Sequence, residues 1–201
     1  MDVIRYALKE IDAHVAAHNA LRRKDVLTAL GLALTEVERA VRSGHTILIC
    51  GNGGSATDAL HIAAELVGRF RVEGPAFGVL ALVENIAAVT AIANDYSYDE
   101  VFARQLEAFG RPGDVLLALS TSGNSANCIR ACQKAQTLGI TSIALTGESG
   151  GTLAQVADLA VRVPSNDTAH IQEAHETIGH IIAGVAERAV RGEQSESHLF
   201  G

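Results

Sequence analysis

Short runs of consecutive hydrophobic residues recur along the chain, and stretches with helical spacing of hydrophobic positions separate them. The runs cover residues 47–50, 79–83, 115–119, 142–145 and 159–163. Strands that are hydrophobic on both faces are typical of parallel sheets covered by helices on either side. The alternation therefore predicts an α/β fold with a single, doubly wound, five-stranded parallel sheet flanked by helices.

Both ends of this pattern are predicted to be helical. Residues 2–43 carry hydrophobic positions at helical spacing and contain no proline, and a last helix is predicted over residues 168–191. We therefore expect N-terminal helices over residues 1–43, an α/β domain over residues 44–191 and a frayed polar tail over residues 192–201.

Composition narrows the classes of function. The formal charge of −7 has the wrong sign for a general nucleic-acid binder, which must neutralise phosphates. No stretch approaches the roughly 20 hydrophobic residues of a membrane span, and the first residues lack the pattern of a signal peptide. The three cysteines are expected to be free thiols, buried at Cys128 and Cys132. We expect a cytoplasmic protein of small-molecule chemistry, with no nucleic-acid and no membrane partner.

A glycine-rich loop at residues 51–55 follows the first predicted strand and precedes a helix. Its glycines let backbone amides approach a ligand at a helix N-terminus, where negative charge is favoured. Taken alone, the loop is equally well explained as an anion cradle or as a tight turn. It lacks the Walker lysine and the G-x-G-x-x-G pattern, which disfavours nucleotide hydrolysis and dinucleotide binding.

A second polar loop follows the run at residues 115–119 and also precedes a helix. It carries four hydroxyl side chains: Ser120, Thr121, Ser122 and Ser125. One hydroxyl would be enough to cap the helix, so four favour a phosphate site built from hydroxyls and backbone amides. Parallel sheets bind ligands at the carboxyl ends of their strands, where both loops lie.

Candidate proton-transfer groups lie on two predicted helices. His61 and Glu65 are four residues apart and share one face of the helix after the first loop. The C-terminal helix adds Gln172, Glu173, His175, Glu176 and His180. A histidine with a carboxylate suits general acid–base catalysis, and the same groups suit a zinc site, so both interpretations stay open. Any one of these residues alone would more often be an ordinary solvated side chain.

Four separated blocks in one order are similar to the sugar isomerase (SIS) domain and, within it, to the phosphoheptose isomerases. They read CGNGGSATDALHIAAELVGRF, TAIANDYSYDEVFARQLEAFGRPGDVLLALSTSGNSAN, ALTGESGG and IQEAHETIGHI. The resemblance covers residues 44–190, and the first 40 residues match only as helices. It implies conversion of D-sedoheptulose 7-phosphate to D-glycero-D-manno-heptose 7-phosphate through a cis-enediol, in heptose biosynthesis.

The resemblance also assigns roles to residues. It implies that the substrate contacts Asn52, Gly53, Gly54, Ser55, Asn94, Asp95 and Gln172, with its phosphate on Ser120, Thr121, Ser122 and Ser125. It implies one Zn²⁺ per subunit, held by His61, Glu65, Gln172 and His180. Glu65 and His180 match the catalytic acid–base pair, and which of them removes the carbon-bound proton stays open. His170 stands where many relatives have arginine.

The resemblance further implies a homo-oligomer, a tetramer, with the N-terminal helices against a neighbouring subunit. On one regular helix, the eight residues between Gln172 and His180 correspond to about 12 Å of rise, a long reach to a common metal. Either Gln172 lies in an irregular lead-in to the helix, or a neighbouring chain completes the site. We favour the second interpretation.

Two rival functions remain at the level of sequence. Some related SIS proteins bind a replication initiator without known isomerase activity, but they lack the catalytic carboxylate, whereas Glu65 and His180 are both present here. The other rival is an isomerase or sensor of a different phosphosugar, because both loops would hold phosphate and hydroxyl groups generically.

Overall fold

The structure, a computed structural model, describes residues 2–191, so the predicted tail at residues 192–201 lies outside the described residues. Its centre is a parallel sheet of five strands in the order β2-β1-β3-β4-β5. The strands are β1 (Ile47–Gly51), β2 (Val79–Ala81), β3 (Val115–Ser120), β4 (Thr141–Thr146) and β5 (Leu159–Arg162). The prediction of a five-stranded parallel sheet is confirmed.

Burial differs between the middle and the edges of the sheet. Every residue of β1 and β3 is buried, as the continuous hydrophobic runs predict. The edge strands β2 and β5 are only partly buried, because each has one neighbour in the sheet. The predicted burial on both faces therefore holds for the central strands alone.

Helices cover both faces of the sheet. They are α1 (Val3–Ala20), α2 (Lys24–Arg42), α3 (Gly54–Val67), α4 (Ile86–Asp95), α5 (Val101–Phe109), α6 (Ala126–Leu138), α7 (Leu153–Val156) and α8 (Thr168–Arg191), with a 3-10 turn at Tyr98–Glu100. One hydrophobic core joins α2, α3 and α8 to the sheet, and a second joins α5 and α6 to its other face. This arrangement confirms the doubly wound class.

The two N-terminal helices are buried to different extents. Val26, Leu30 and Val37 of α2 belong to the core beneath α8. In α1, which packs against α8, Ala17 is buried and six large side chains are exposed. These are Val3, Ile4, Tyr6, Leu8, Ile11 and Val15. None of the helices in residues 2–191 combines the length and the hydrophobicity that crossing a membrane requires.

Helices α3 and α8 lie side by side, and this packing positions the candidate site. Gly179 of α8 faces Ile62 of α3 so closely that a Cβ at Gly179 would lie 2.5 Å from Ile62 Cδ1. The missing side chain lets the two helix backbones approach each other. Polar residues of α3 and α8 that flank this contact are consequently brought close together.

Candidate active site

The two predicted loops are joined by a pair of side-chain amides. Asn52 Nδ2 donates a hydrogen bond to Asn127 Oδ1, and Asn127 Nδ2 donates one to Asn52 Oδ1, both at 2.8 Å. The hydroxyl of Tyr98 donates to Asn52 Oδ1 at 2.9 Å. Neither Asn127 nor Tyr98 was predicted from the sequence. The sequence offered one signal for Asn127. It is a polar residue directly before Cys128, which was expected to be buried on the same helix.

The first loop brings backbone amides to the start of α3. Gly53 precedes the helix with φ +56°, a left-handed conformation that favours glycine, and no side chain caps the helix. Uncapped amides at a helix N-terminus attract an anion or a hydroxyl oxygen. This geometry favours the ligand-cradle interpretation of the loop.

The serine at the start of α6 does not use its hydroxyl to cap that helix. Ser125 precedes α6, but its side chain makes no cap hydrogen bond; its Oγ lies 2.8 Å from Oγ of the buried Ser120. Ser122 Oγ accepts from the backbone amide of Asn124 at 3.2 Å. These hydroxyls and the N-terminus of α6 are the kinds of group that a phosphate site uses.

The proton-transfer candidates of α3 and α8 meet at one point. His61 Nε2 lies 3.0 Å from His180 Nε2 and 3.7 Å from Glu65 Oε1. Glu176, one turn before His180, brings its Oε1 to 3.0 Å from His61 Nε2. The structure therefore brings together four of the proton-transfer candidates that the sequence suggested: His61, Glu65, Glu176 and His180.

Gln172 has a different neighbour. It lies inside the regular helix α8, so the hypothesis of an irregular lead-in is wrong. Its Nε2 donates to Asp58 Oδ1 at 3.1 Å, and its side chain fills the space beside Gly54. Burial raises the pKa of Asp58 to about 6, and the hydrogen bond from Gln172 offsets part of that rise.

The ring of His180 is supported by the segment after α3. Phe70 stacks on it, with ring centroids 5.4 Å apart and planes 11° apart. The backbone amides of Phe70 and Arg71 donate to the buried carboxylate of Glu187, at 3.2 and 3.0 Å. Arg191 neutralises that carboxylate at 2.5 Å. The C-terminal end of α8 thus holds Phe70 in place, and Phe70 packs on His180 of the same helix.

Several other predicted residues lie apart from this cluster. Asn94 Nδ2 donates to Asp95 Oδ1 at the exposed end of α4, and neither side chain hydrogen bonds to the two loops. His170 is largely buried between Glu10 and Asp167, toward α1. In the second loop, the backbone carbonyl of Thr121 accepts a hydrogen bond from the backbone amide of Gly147.

The cysteines take no part in the site. All three are free and buried, as expected for Cys128 and Cys132. Burial raises the pKa of Cys132 to about 12, so its thiol stays protonated and unreactive at neutral pH.

The cluster has the donor chemistry of a zinc site. His61, Glu176 and His180 offer two imidazole nitrogens and one carboxylate oxygen, all within 4.8 Å of one another. Zn²⁺ in proteins binds this kind of set, and histidine with carboxylate also serves general acid–base catalysis. The residues present therefore fit the metal that the resemblance implies.

Comparisons with known proteins identify the family of the chain. The model of the SIS domain family matches residues 13–147. The phosphoheptose isomerase of Rhodospirillum rubrum is 47% identical over 175 residues, covering 87% of this chain and 93% of that protein. That of Roseiflexus sp. is 44% identical over 189 residues, covering 92% and 94%.

Solved structures show the same relationship. A phosphoheptose isomerase from Francisella tularensis superposes with a TM-score of 0.89 at 32% identity, covering 94% of this chain and all of that one. The enzyme from Neisseria gonorrhoeae gives a TM-score of 0.80 at 38% identity, covering 92% and 96%. The resemblance found in the sequence is thereby confirmed: the chain belongs to the SIS domain family and, within it, to the phosphoheptose isomerases.

Proposed function

We propose that this chain converts D-sedoheptulose 7-phosphate to D-glycero-D-manno-heptose 7-phosphate, as an aldose–ketose isomerase of heptose biosynthesis. The observation that carries the proposal is that one helix, α3, connects the first loop to two of the proton-transfer candidates. The loop at residues 51–55 opens this helix, and His61 and Glu65 lie about two and three turns further along it. A sugar phosphate held at the loops can therefore extend toward groups that transfer protons.

The phosphate is bound by the second loop and the sugar hydroxyls by the first. Ser120, Ser122 and Ser125 supply hydroxyls beside the N-terminus of α6, which suits a dianionic phosphate. The amides at Gly54 and Ser55 begin α3 and suit hydroxyl oxygens of the sugar. In the family assignment, Asn94 and Asp95 also touch the substrate.

Isomerisation requires two proton movements, and Glu65 and His180 provide the two groups. One removes the proton from the carbon beside the carbonyl, which gives the enediol. The other moves a proton between the two oxygens, and the first then returns its proton to the neighbouring carbon. Both side chains lie beside His61 and are partly exposed, so a bound sugar can contact them.

We propose one Zn²⁺ per subunit at this cluster. The resemblance to the phosphoheptose isomerases implies four ligands for this ion: His61, Glu65, Gln172 and His180. When bound, the ion would act as a Lewis acid on the carbonyl and hydroxyl oxygens of the substrate. The protein's part is to orient the sugar and to keep the acid–base pair beside the reacting carbons.

We also propose a cytoplasmic homotetramer in which α1 contacts a neighbouring subunit. The six exposed hydrophobic side chains of α1 support this arrangement, because such a stripe is costly in water. Sedimentation equilibrium measures the assembly directly. A monomer at micromolar concentration would contradict the tetramer.

A turnover assay tests the proposed activity. The protein is incubated with sedoheptulose 7-phosphate, with and without added Zn²⁺, and anomeric NMR signals report the aldose product. We expect conversion in at least one condition and none with sedoheptulose that lacks the phosphate. Turnover of a six-carbon ketose phosphate alone would favour an isomerase of another phosphosugar. Absence of turnover with every sugar phosphate would favour a non-catalytic binding module.

A further inference from the structure

Tyr98 makes a hydrogen bond that determines what the first loop offers to a ligand. Its hydroxyl donates to Asn52 Oδ1 at 2.9 Å, and Asn127 Nδ2 donates to the same oxygen at 2.8 Å. An amide oxygen has two lone pairs, so these two donors occupy both of them. The side-chain oxygen of Asn52 is therefore fully engaged inside the protein.

The orientation of the two paired amides is fixed by the backbone. The backbone amide of Cys128 donates to Asn127 Oδ1 at 3.0 Å, and a backbone N–H can act only as a donor. Asn127 must therefore turn its oxygen toward Cys128. The same oxygen accepts from Asn52 Nδ2 at 2.8 Å, which leaves Asn127 Nδ2 to face Asn52 Oδ1. One backbone donor thus sets the direction of each hydrogen bond from Cys128 to Tyr98.

One N–H of Asn52 remains for a ligand. Of the two hydrogens on its amide nitrogen, one is donated to Asn127 Oδ1, and the other has no hydrogen-bond partner among residues 2–191. Asn52 is half-buried and directly precedes Gly53, at the N-terminus of α3. The side chain of Asn52 can therefore offer a ligand a hydrogen-bond donor. It cannot offer its oxygen without losing the bond from Tyr98 or the bond from Asn127.

The packing of Tyr98 leaves this hydrogen bond as its best-defined contact. The residue is 54% exposed and begins the 3-10 turn at Tyr98–Glu100, which contains no buried residue. A ring that stays exposed contributes little hydrophobic burial to the fold. Asn94 and Asp95, which the resemblance places at the substrate, end α4 shortly before Tyr98. The hydroxyl of Tyr98 thus ties this part of the chain to the first loop.

We propose that Tyr98 is a positioning residue for the substrate: its hydroxyl holds the Asn52 amide so that the remaining N–H donates a hydrogen bond to a sugar oxygen. The inference rests on the proposed function, which supplies the sugar phosphate. Without the phenolic oxygen, Asn52 Oδ1 loses one of its two donors, and the amide is held by Asn127 alone. The sugar should then bind less tightly, while the phosphate site at the second loop stays intact.

Tyr98→Phe tests the proposal, because it removes the phenolic oxygen and keeps the ring. Calorimetry measures the affinity for two ligands: sedoheptulose 7-phosphate reduced at its carbonyl, which cannot isomerise, and inorganic phosphate, which lacks the sugar. Loss of one hydrogen bond should weaken binding of the reduced sugar phosphate by about 3–10-fold and change the Kd of inorganic phosphate by less than about twofold. In steady-state kinetics, KM should rise by the same factor as that Kd while kcat stays near the wild-type value, as expected when ground state and transition state lose the same contact.

Two further variants control this test. Tyr96→Phe removes the phenolic oxygen of a second exposed tyrosine, whose hydroxyl lies 3.4 Å from Arg104 Nη2, and it should leave both affinities unchanged. In an Asn52→Ala background, Tyr98→Phe should have no additional effect, because Tyr98 acts through Asn52. Thermal unfolding confirms that each variant folds.

The outcomes separate this inference from the proposed activity. Binding of the reduced sugar phosphate that depends on Tyr98 and Asn52, without turnover of any sugar phosphate, would uphold the positioning role and contradict the isomerase. Turnover with wild-type KM and affinity in Tyr98→Phe would overturn the positioning role and leave the isomerase standing. An undiminished effect of Tyr98→Phe in the Asn52→Ala background would also overturn it. So would an equal loss of affinity for inorganic phosphate, or a wild-type protein that does not bind the reduced sugar phosphate.

Discussion

Asn52 and Asn127 each donate a side-chain hydrogen bond to the other at 2.8 Å, although 75 residues separate them in the chain. The pair joins the loop after β1 to the first turn of α6, so the spacing of the two candidate binding loops is fixed by side chains. Two amides that satisfy each other cannot shift independently. The binding surface is thereby organised before a substrate arrives.

Asn127→Ala should loosen this connection. It removes both hydrogen bonds to Asn52 and the one that Asn127 Oδ1 accepts from the amide of Cys128, and it leaves the side chain of Asn52 with Tyr98 alone. We therefore expect the free energy of unfolding to fall by about 1–3 kcal/mol. We also expect KM to rise more than kcat falls, because the loops bind substrate and do not transfer protons. Asn166→Ala, at an exposed asparagine, is the control. An unchanged KM in Asn127→Ala would contradict the organising role.

The phosphate site can be tested on its hydroxyls. Ser120→Ala combined with Ser122→Ala should raise KM strongly, since each hydrogen bond to a charged group contributes about 1.5–3 kcal/mol. Because Ser120 Oγ also touches Ser125 Oγ, its loss disturbs a second hydroxyl. The measurement is steady-state kinetics with sedoheptulose 7-phosphate. If inorganic phosphate inhibits the variant as strongly as the wild type, the phosphate binds elsewhere.

The hydrophobic pattern was sufficient to predict the sheet. The run at residues 115–119 became β3 with one added residue, and the helix after the second loop ends at Leu138, where Gly139 follows with φ +69°. Local sequence determines such features, because burial and a left-handed glycine are properties of a few adjacent positions. The helix α5, nine residues long, was not singled out from the sequence, although Gly110 and Pro112 follow it directly as stop signals.

The candidate site was predictable in its residue types and not in its contacts. The distances among His61, Glu176 and His180 depend on how α3 packs on α8, more than 100 residues away in sequence. The small residue Gly179 sets that packing, but a glycine within a helical pattern can equally mark the end of the helix. The positions of Glu176 and Gln172 therefore had to come from the three-dimensional structure.

The acid–base pair gives the strongest expected effect on turnover. Glu65→Gln and His180→Gln each keep the size of the side chain and remove a titratable group, so kcat should fall by about 10²–10⁴-fold. Loss of a metal donor in His180→Gln can add to this fall. Zn²⁺ content is measured in the same samples to separate the two effects. Near-native kcat in either variant would contradict the assignment.

The buried pair of Glu187 and Arg191 should matter for stability and for His180. Glu187→Ala strands a buried guanidinium and frees the amides of Phe70 and Arg71, so we expect a loss of about 3–5 kcal/mol in unfolding free energy. With Phe70 released from the His180 ring, kcat should fall as well.

The exposed pair of Arg69 and Glu73 provides the matched control for that prediction. Glu73→Ala removes a carboxylate from an ion pair whose side chains are mostly exposed, so stability should change by less than about 1 kcal/mol. Urea unfolding and steady-state kinetics measure both variants. Equal effects of the two substitutions would show that burial of the Glu187 pair has no special role.

His175 should make the stability of the metal-free protein depend on pH. Its ring is fully buried, and neither nitrogen makes a well-formed hydrogen bond. Burial lowers the pKa of His175 to about 4, and the nearby carbonyl of Thr146 offsets only part of this decrease. The unfolded chain therefore binds more protons than the folded one between about pH 6.5 and pH 4, and stability is lost as pH falls through this window. Urea unfolding of wild type and His175→Leu across that range should show the wild type losing about 3 kcal/mol relative to the variant. Parallel curves for the two proteins would mean that the folded state accepts a proton on His175 as readily as the unfolded chain does.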